Sequence, residues 1–383
     1  MYSRKNWSPY KMQVRLSRCI ILSTLLAIFC TFSLFSQIEI RKPSLENEDW
    51  RLLMQAQDKY DEKEYGTSLM LAEKAKESRK QDCSYKSYIL DKVLKNTQVK
   101  KVGTSIDEVV KVLTEKKYNE ALAIIDVHLG KYSKEYYGNN IINIKTQVEK
   151  ENCYPEADYL IGRIYKLEGE TDLSIKYMKN AYENNFYLDV AEQKYDILYD
   201  LADISKNTGK NDDYETYLLL ILKDDDNFMN KSNIMTALRR TISNDTEADV
   251  EKFFILYRSS NIVSLKALSL LTEYYENTGK YEKALDCAAL GSITCVTKIA
   301  DILSERKINW KYTNINELLK TASSYSDIVD WGTENGVWKL LFDFAKDCAS
   351  NGKIVFATRL MKNLAENEPV EYYRIQAENC LVK

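Results

Sequence analysis

The chain has few of the residues that punctuate a backbone. Four prolines (Pro9, Pro43, Pro155, Pro369) and 12 glycines serve 383 residues, and no proline lies between Pro155 and Pro369. An all-β chain of this length would need turn signals every few residues, and a collagen-like or proline-rich disordered chain would need far more of both residues. Those classes are excluded. Histidine is scarcer still, with His128 alone. A Ser-His-Asp or Cys-His centre would have to use that one imidazole, and metal sites with several histidines are ruled out. No glycine-rich phosphate loop is present. Gly332 and Gly336, in Gly-Thr-Glu-Asn-Gly, lack a following Lys-Ser/Thr and read as a loop. No strand-like alternation with hairpin turns competes with helix. The chain is 45% hydrophobic and 11% aromatic, enough apolar surface for an extended core, so the composition predicts an all-α protein.

Charge divides the chain in two. The net charge is -3, but Arg4, Lys5, Lys11, Arg15 and Arg18 stand before the first acid, Glu39. A mildly acidic body remains, with no electrostatic footprint for nucleic acid. From Cys19 to Ile38 no charged residue occurs. Cations are retained on the cytoplasmic side of a membrane, so this asymmetry sends the chain beyond Ile38 across it. The expected organisation is a basic cytoplasmic segment (1–18), a signal peptide or transmembrane anchor (19–38), a linker (39–45) and a helical repeat domain (46–383). The repeat domain is expected outside the cytoplasm, in the periplasm or cell envelope. Three fates of the apolar segment stay open: cleavage after Ser36, retention as an anchor in contact with the membrane, and lipidation at Cys30, where Phe29 departs from the small residue that a lipobox wants.

Six cysteines lie beyond this segment: Cys83, Cys153, Cys287, Cys295, Cys348 and Cys380. No CxxC and no repeated spacing joins them, so they read as small buried apolar residues. Cys287 and Cys295 alone are close enough in sequence to suggest a bridge. Asp224-Asp225-Asp226 is followed by Asn227-Phe228 where a calcium loop would continue with a ligand and glycine, and reads as a solvated loop. His128 reads as a structural histidine, and Glu273 with Glu276 as a solvated helix face rather than an acid–base pair. No catalytic, metal-binding or cofactor-binding constellation is legible, and no cofactor is expected.

What is present is a recurring helical hairpin. Leu341, Phe344, Ala345, Cys348, Gly352, Ala357, Met361, Leu364 and Pro369 follow one pattern: large residues at helical spacing, a glycine turn, a second helix with small then large residues, and a terminating proline. Tyr275, Gly279, Tyr281, Ala284, Leu285 and Ala288 repeat its middle, with Leu268 and Leu271 before them. Ile161, Gly162, Tyr165, Gly169, Ser174, Ile175, Met178 and Ala181 form a third copy. Position for position this resembles the tetratricopeptide repeat, in an exported or membrane-anchored bacterial protein. Weaker copies surround Tyr65, Tyr118 and Leu201. The turn positions are then Lys63, Lys116, Gly169, Gly209, Gly279 and Gly352, with the Gly209 turn lengthened by Asn211-Asp212-Asp213. The long intervals imply degenerate units near Asn244 and Tyr312, and extra or lengthened helices at 85–95 and 141–149. Ser105 and Asn314 read as helix caps, and Pro155 as a first-turn residue.

The resemblance implies a right-handed superhelical solenoid of antiparallel hairpins. It also implies a concave groove lined by each first helix. Transferred onto the better copies, the groove positions are Tyr159, Arg163 and Lys166; Tyr199, Asp203 and Lys206; Glu273 and Glu276; and Phe342 and Lys346. The function implied is a non-catalytic scaffold that binds a protein or peptide. An envelope enzyme or enzyme regulator acting on peptidoglycan or glycan is one alternative, and a purely structural tether is another.

Overall fold

The computed structural model describes residues 40–230, 232–233, 236, 240, 248–259, 261–306 and 310–382. The apolar segment 19–38 and the degenerate unit near Asn244 lie outside the described residues. The described chain is all-helical, and its one β-type contact is an isolated bridge between Ser105 and Asn140. Two compact units divide it, Met1–Ala157 and Asp158–Lys383.

In the first unit, helices α1 (Asp49–Asp61) and α2 (Tyr65–Lys95) form a hairpin. A short α3 (Thr97–Val102) leads to a second hairpin of α4 (Ile106–Glu115) and α5 (Asn119–Lys131), and α6 (Ile141–Lys150) packs on α2 and α5. The 31 residues of α2 include the expected lengthening at 85–95, and α6 is the expected extra helix. Small residues bring α1 onto α2: Ser68, Ala72, Ala75 and Ser78 are buried on one stripe, and the Ser68 hydroxyl donates to the Ala56 carbonyl at 2.7 Å.

The second unit contains most of α7 (Pro155–Glu168), with α8 (Thr171–Glu183), α9 (Gln193–Asn207), α10 (Asn211–Ile221), a short α11 (Asp226–Met229), α12 (Ala248–Leu256), α13 (Val263–Asn277) and α14 (Tyr281–Arg306). It continues through α15 (Ile315–Ala322), α16 (Ser326–Glu334), α17 (Val337–Ser350), α18 (Ile354–Asn367) and α19 (Glu371–Leu381). Second helices pack on the first helix of the next hairpin: α8 on α9, α10 on α13, and α14 on α17. One core joins them, centred on Phe253, Phe254, Trp338, Phe344 and Phe356. By length and composition α14 would pass for a membrane span, yet 78% of its apolar window is buried in the protein itself.

Among the described residues one turn geometry closes six hairpins. The residue after each left-handed position donates its amide five residues back: Glu64 to Lys59, Tyr118 to Leu113, Glu170 to Tyr165, Lys210 to Ser205, Lys280 to Tyr275, and Lys353 to Cys348, all at 2.8–3.0 Å. This bond satisfies a carbonyl that the helix end leaves open, and it needs positive φ at the residue before the donor. Gly169, Gly209, Gly279 and Gly352 supply it at 71–79°, and Lys63 at 64°.

Four expectations are corrected. In the second hairpin the left-handed residue is Lys117 (φ 55°), one position after Lys116. The turn at Gly209 is not lengthened: Asn211, Asp212 and Asp213 open α10, where two acids favour the positive end of the helix dipole. Gly332 lies inside α16, and a Cβ there would meet the buried Trp338 ring at 2.4 Å, so close ring packing, not a loop, explains that glycine. Gly336 is left-handed at the entry to α17. Cys287 and Cys295 both lie in α14, about 12 Å apart along its axis, too far to bridge to each other.

Candidate functional site

All ten groove positions fall in the second unit, on α7, α9, α13 and α17, the first helices of the four hairpins closed by left-handed glycines among its described residues. The helical repeat places residues three and four apart on one face, so each helix contributes two or three of them to the same side. They are connected from one helix to the next. Lys166 on α7 pairs with Asp200 at 2.9 Å and Asp203 at 2.6 Å on α9. Lys206 on α9 pairs with Glu273 on α13 at 3.5 Å. Glu273 and Glu276 on α13 pair with Lys339 and Lys346 on α17, at 3.9 and 2.7 Å. Phe342 on α17 packs its ring 6.1 Å from Tyr373 on α19.

The row therefore alternates in sign and holds adjacent helices in register. Each exposed pair is worth little, about 0–1 kcal/mol. Their arrangement as a network of fixed orientation matters more, because a surface already paired and ordered loses less side-chain freedom when it meets a ligand. Lys206, Asp203, Glu273 and Lys346 keep 40–52% of their side-chain surface exposed.

Two of the expected positions behave differently. Tyr159 is 7% exposed and belongs to the core, and its hydroxyl donates to Asp200 at 2.8 Å. Burial, with the nearby Asp200 charge, pushes its phenol far above the usual range. Tyr199 is half-buried, donates to the Val263 carbonyl at 2.9 Å, and lies beneath the Lys266 ammonium. Arg163 stacks over the Tyr159 ring at 5.7 Å.

Several members of the row were not read from the sequence: Asp200, Lys266, Lys339, Asp343, Asp347 and Tyr373. Asp343 bridges Lys339 (2.7 Å) and Lys346 (3.3 Å). Its spacing, four after one lysine and three before the other, was the signal that would have found it. Asp347 is 1% exposed and abuts Glu276. Burial foremost, then the Glu276 charge, pushes its carboxyl up to about 8 despite Lys346.

Residues that raised other chemistry have structural partners. Asp224 accepts from Lys194 (2.5 Å) and Tyr195 (2.8 Å), and the Asp225 side chain accepts from the Phe228 amide at the start of α11. His128 is buried in the first unit. Its Nδ1 lies 2.7 Å from the Ile124 carbonyl and its Nε2 3.2 Å from Glu151, which also accepts from the Tyr132 hydroxyl at 2.6 Å.

No family model matches the chain. It is similar to an uncharacterized protein of Treponema pallidum (strain Nichols), 27% identical over 331 residues that cover 85% of this chain and 88% of that protein. It is also similar to an uncharacterized protein of Borreliella burgdorferi, 21% identical over 247 residues that cover 59% of this chain and 76% of that one. The first likeness spans both units.

Proposed function

We propose that the protein is a non-catalytic scaffold of tetratricopeptide-like hairpins, stacked within each unit in the manner of a right-handed solenoid, that binds a protein or peptide. The observation that carries this reading is the continuous row on α7, α9, α13 and α17, with half-exposed charges of both signs and an aromatic pair at its α17–α19 end. Such a face fits a polar segment carrying an apolar anchor. The repeated turn and the packing of each second helix on the next first helix support the stacking.

The binding face is tested by affinity capture from solubilised envelope with the whole chain, and then by titration of the captured partner. Arg163→Ala and Phe342→Ala are each expected to weaken binding by more than about 1 kcal/mol, as central Arg and aromatic anchors do. Lys206→Ala should have a smaller effect that shrinks with added salt. Tyr159→Ala is not a test of binding, because that ring is part of the core. If Arg163→Ala and Phe342→Ala bind like the native chain while a change at a hairpin turn abolishes binding, the row is not the interface.

We further propose that both units act outside the cytoplasm, on the strength of the five leading cations and the charge-free residues 19–38. A reporter enzyme that matures only outside the cytoplasm, fused after Lys383, should then be active. Activity confined to a cytoplasm-dependent reporter would reverse the topology.

A further inference from the structure

The first unit holds a cavity that neither the row nor the sequence motifs account for. It has a volume of about 520 Å³ and lies between the C-terminal half of α2 and the start of α5. Its size is that of a small-molecule site. The walls supply two kinds of chemistry. Ile89, Val93 and Ala121 provide aliphatic surface, and the Tyr118 ring, 43% exposed, provides an aromatic wall. Lys92 and Lys117 provide cations.

The charge is unbalanced. One carboxylate, Glu120, lines the cavity, and it already accepts from the Tyr85 hydroxyl at 2.7 Å. Among the described residues neither Lys92 nor Lys117 has a carboxylate within ion-pair distance, and Lys92 meets instead the face of Tyr88, 4.3 Å from the ring centre. Elsewhere on α2, Lys76, Lys86 and Lys95 pair with Glu73, Asp82 and Asp91. Lys117 also occupies the left-handed turn position that four of the other hairpins give to glycine. Its backbone is therefore one that a side chain enters at a cost, and the residue lines the cavity from that turn.

A chamber with aliphatic and aromatic walls, two asparagines (Asn96 and Asn119), and two lysines against one carboxylate discriminates by a simple rule. A neutral apolar molecule gains the walls but not the cations, a bare anion gains the cations but not the walls, and an apolar cation is repelled. We infer that this cavity binds a small organic monocarboxylate with an aryl or branched alkyl body. This site goes beyond the protein-binding reading and is independent of it, since it uses none of the residues of the α7–α17 row.

The test uses the full chain in lipid nanodiscs, with isotopically labelled Ile and Val methyl groups, titrated with four probes: 3-phenylpropionate, 3-phenylpropanol, 3-phenylpropylamine and inorganic phosphate. Saturable shifts of Ile89 and Val93 with 3-phenylpropionate, and at least about fivefold weaker responses to the other three, are the expected result. Lys117→Gly suits the left-handed turn and removes the ammonium without loss of fold; it and Lys92→Gln should each weaken 3-phenylpropionate by about threefold to fivefold, the range of one partly exposed charge pair. Equal responses to 3-phenylpropanol would mean an apolar crevice without charge selection. Equal responses to phosphate would mean a bare anion site. Either result, no shift at all with 3-phenylpropionate, or shifts confined to the second unit, overturns the inference.

Discussion

Glu151→Ala should destabilise the first unit by about 3 kcal/mol or more, because it strips the acceptor from two donors at about 1–3 kcal/mol each. His128 is 2% exposed, and both of its ring nitrogens face acceptors: the Ile124 carbonyl and the Glu151 carboxylate. Without Glu151, Nε2 and the Tyr132 hydroxyl lose their acceptor together. Burial raises the Glu151 carboxyl, but the hydrogen bonds from His128 and Tyr132 outweigh it and hold the group at about 2. A carboxyl depressed in the folded state contributes stability above its unfolded value near 4.5 and loses it as pH falls toward 2. Urea melts should therefore show the loss in Glu151→Ala at neutral pH, with the gap to the native chain closing in acid. The double change His128→Leu, Glu151→Leu should recover part of the loss, because an apolar pair strands no charge. A double variant as unstable as the sum of the two single changes would mean that the pair is not energetically coupled.

This pair shows where reading the chain reached its limit. His128 was legible as a structural histidine, but its partner stands 23 residues away, beyond α5 and across a connection with its own 3-10 turn. Only the packing of α6 and the residues after it brings Glu151 back. Local features fared better. Gly169, Gly209, Gly279 and Gly352 marked turns because one backbone conformation recurs and glycine adopts it freely. Asn314 caps α15 as expected, accepting from the Glu317 amide at 2.8 Å, whereas Ser105 occupies its cap position without a side-chain bond. Lys117 was misplaced by one residue because lysine carries no mark of left-handed geometry.

The groove was legible as a set of positions and not as a set of contacts. Periodicity assigns a residue to a face, and all ten positions do fall on four first helices. It does not say how deeply the next helix covers that face. Tyr159 was assigned to the surface, yet α9 approaches closely enough to bury it against Asp200. Tyr281 errs the other way: it belongs by spacing to the apolar stripe of Ala284, Leu285 and Ala288, but starts its helix and is 52% exposed. Ion pairs between helices depend on the relative height of neighbours, which turn lengths and helix lengths set jointly. Asp200 and Asp347 were therefore invisible as partners until the helices were stacked.

Asp347→Asn should stabilise the second unit, and the gain should grow with pH. Asp347 is 1% exposed, beside Glu276 on α13 and near Asp343, with Lys346 the nearby cation. Lys346 is shared among Glu276 and Asp343, at 2.7 and 3.3 Å, so it does not neutralise Asp347 as well. The carboxyl is thus held protonated up to about 8, against 3.8 in an open chain. A folded state that keeps a proton which the unfolded state has released loses stability as pH rises, here across the window from about 4 to about 8. Glu368, also raised to about 8 by burial, acts in the same direction. Glu215, lowered to about 2 because its bonds from Tyr275, Lys283 and Lys280 outweigh burial, acts in the opposite direction but only below about 4.5. An asparagine keeps the shape and offers Glu276 a permanent donor in place of the shared proton. Chemical melts near pH 8 should show a gain of about 2–4 kcal/mol, falling below about 1 kcal/mol near pH 5.5, since one unit of displaced pKa is worth about 1.4 kcal/mol. Glu276→Gln should gain less, because it leaves Lys346 with Asp343 alone. An Asp347→Asn gain of equal size at both pH values would mean that packing, not the buried proton, governs this contact between α13 and α17.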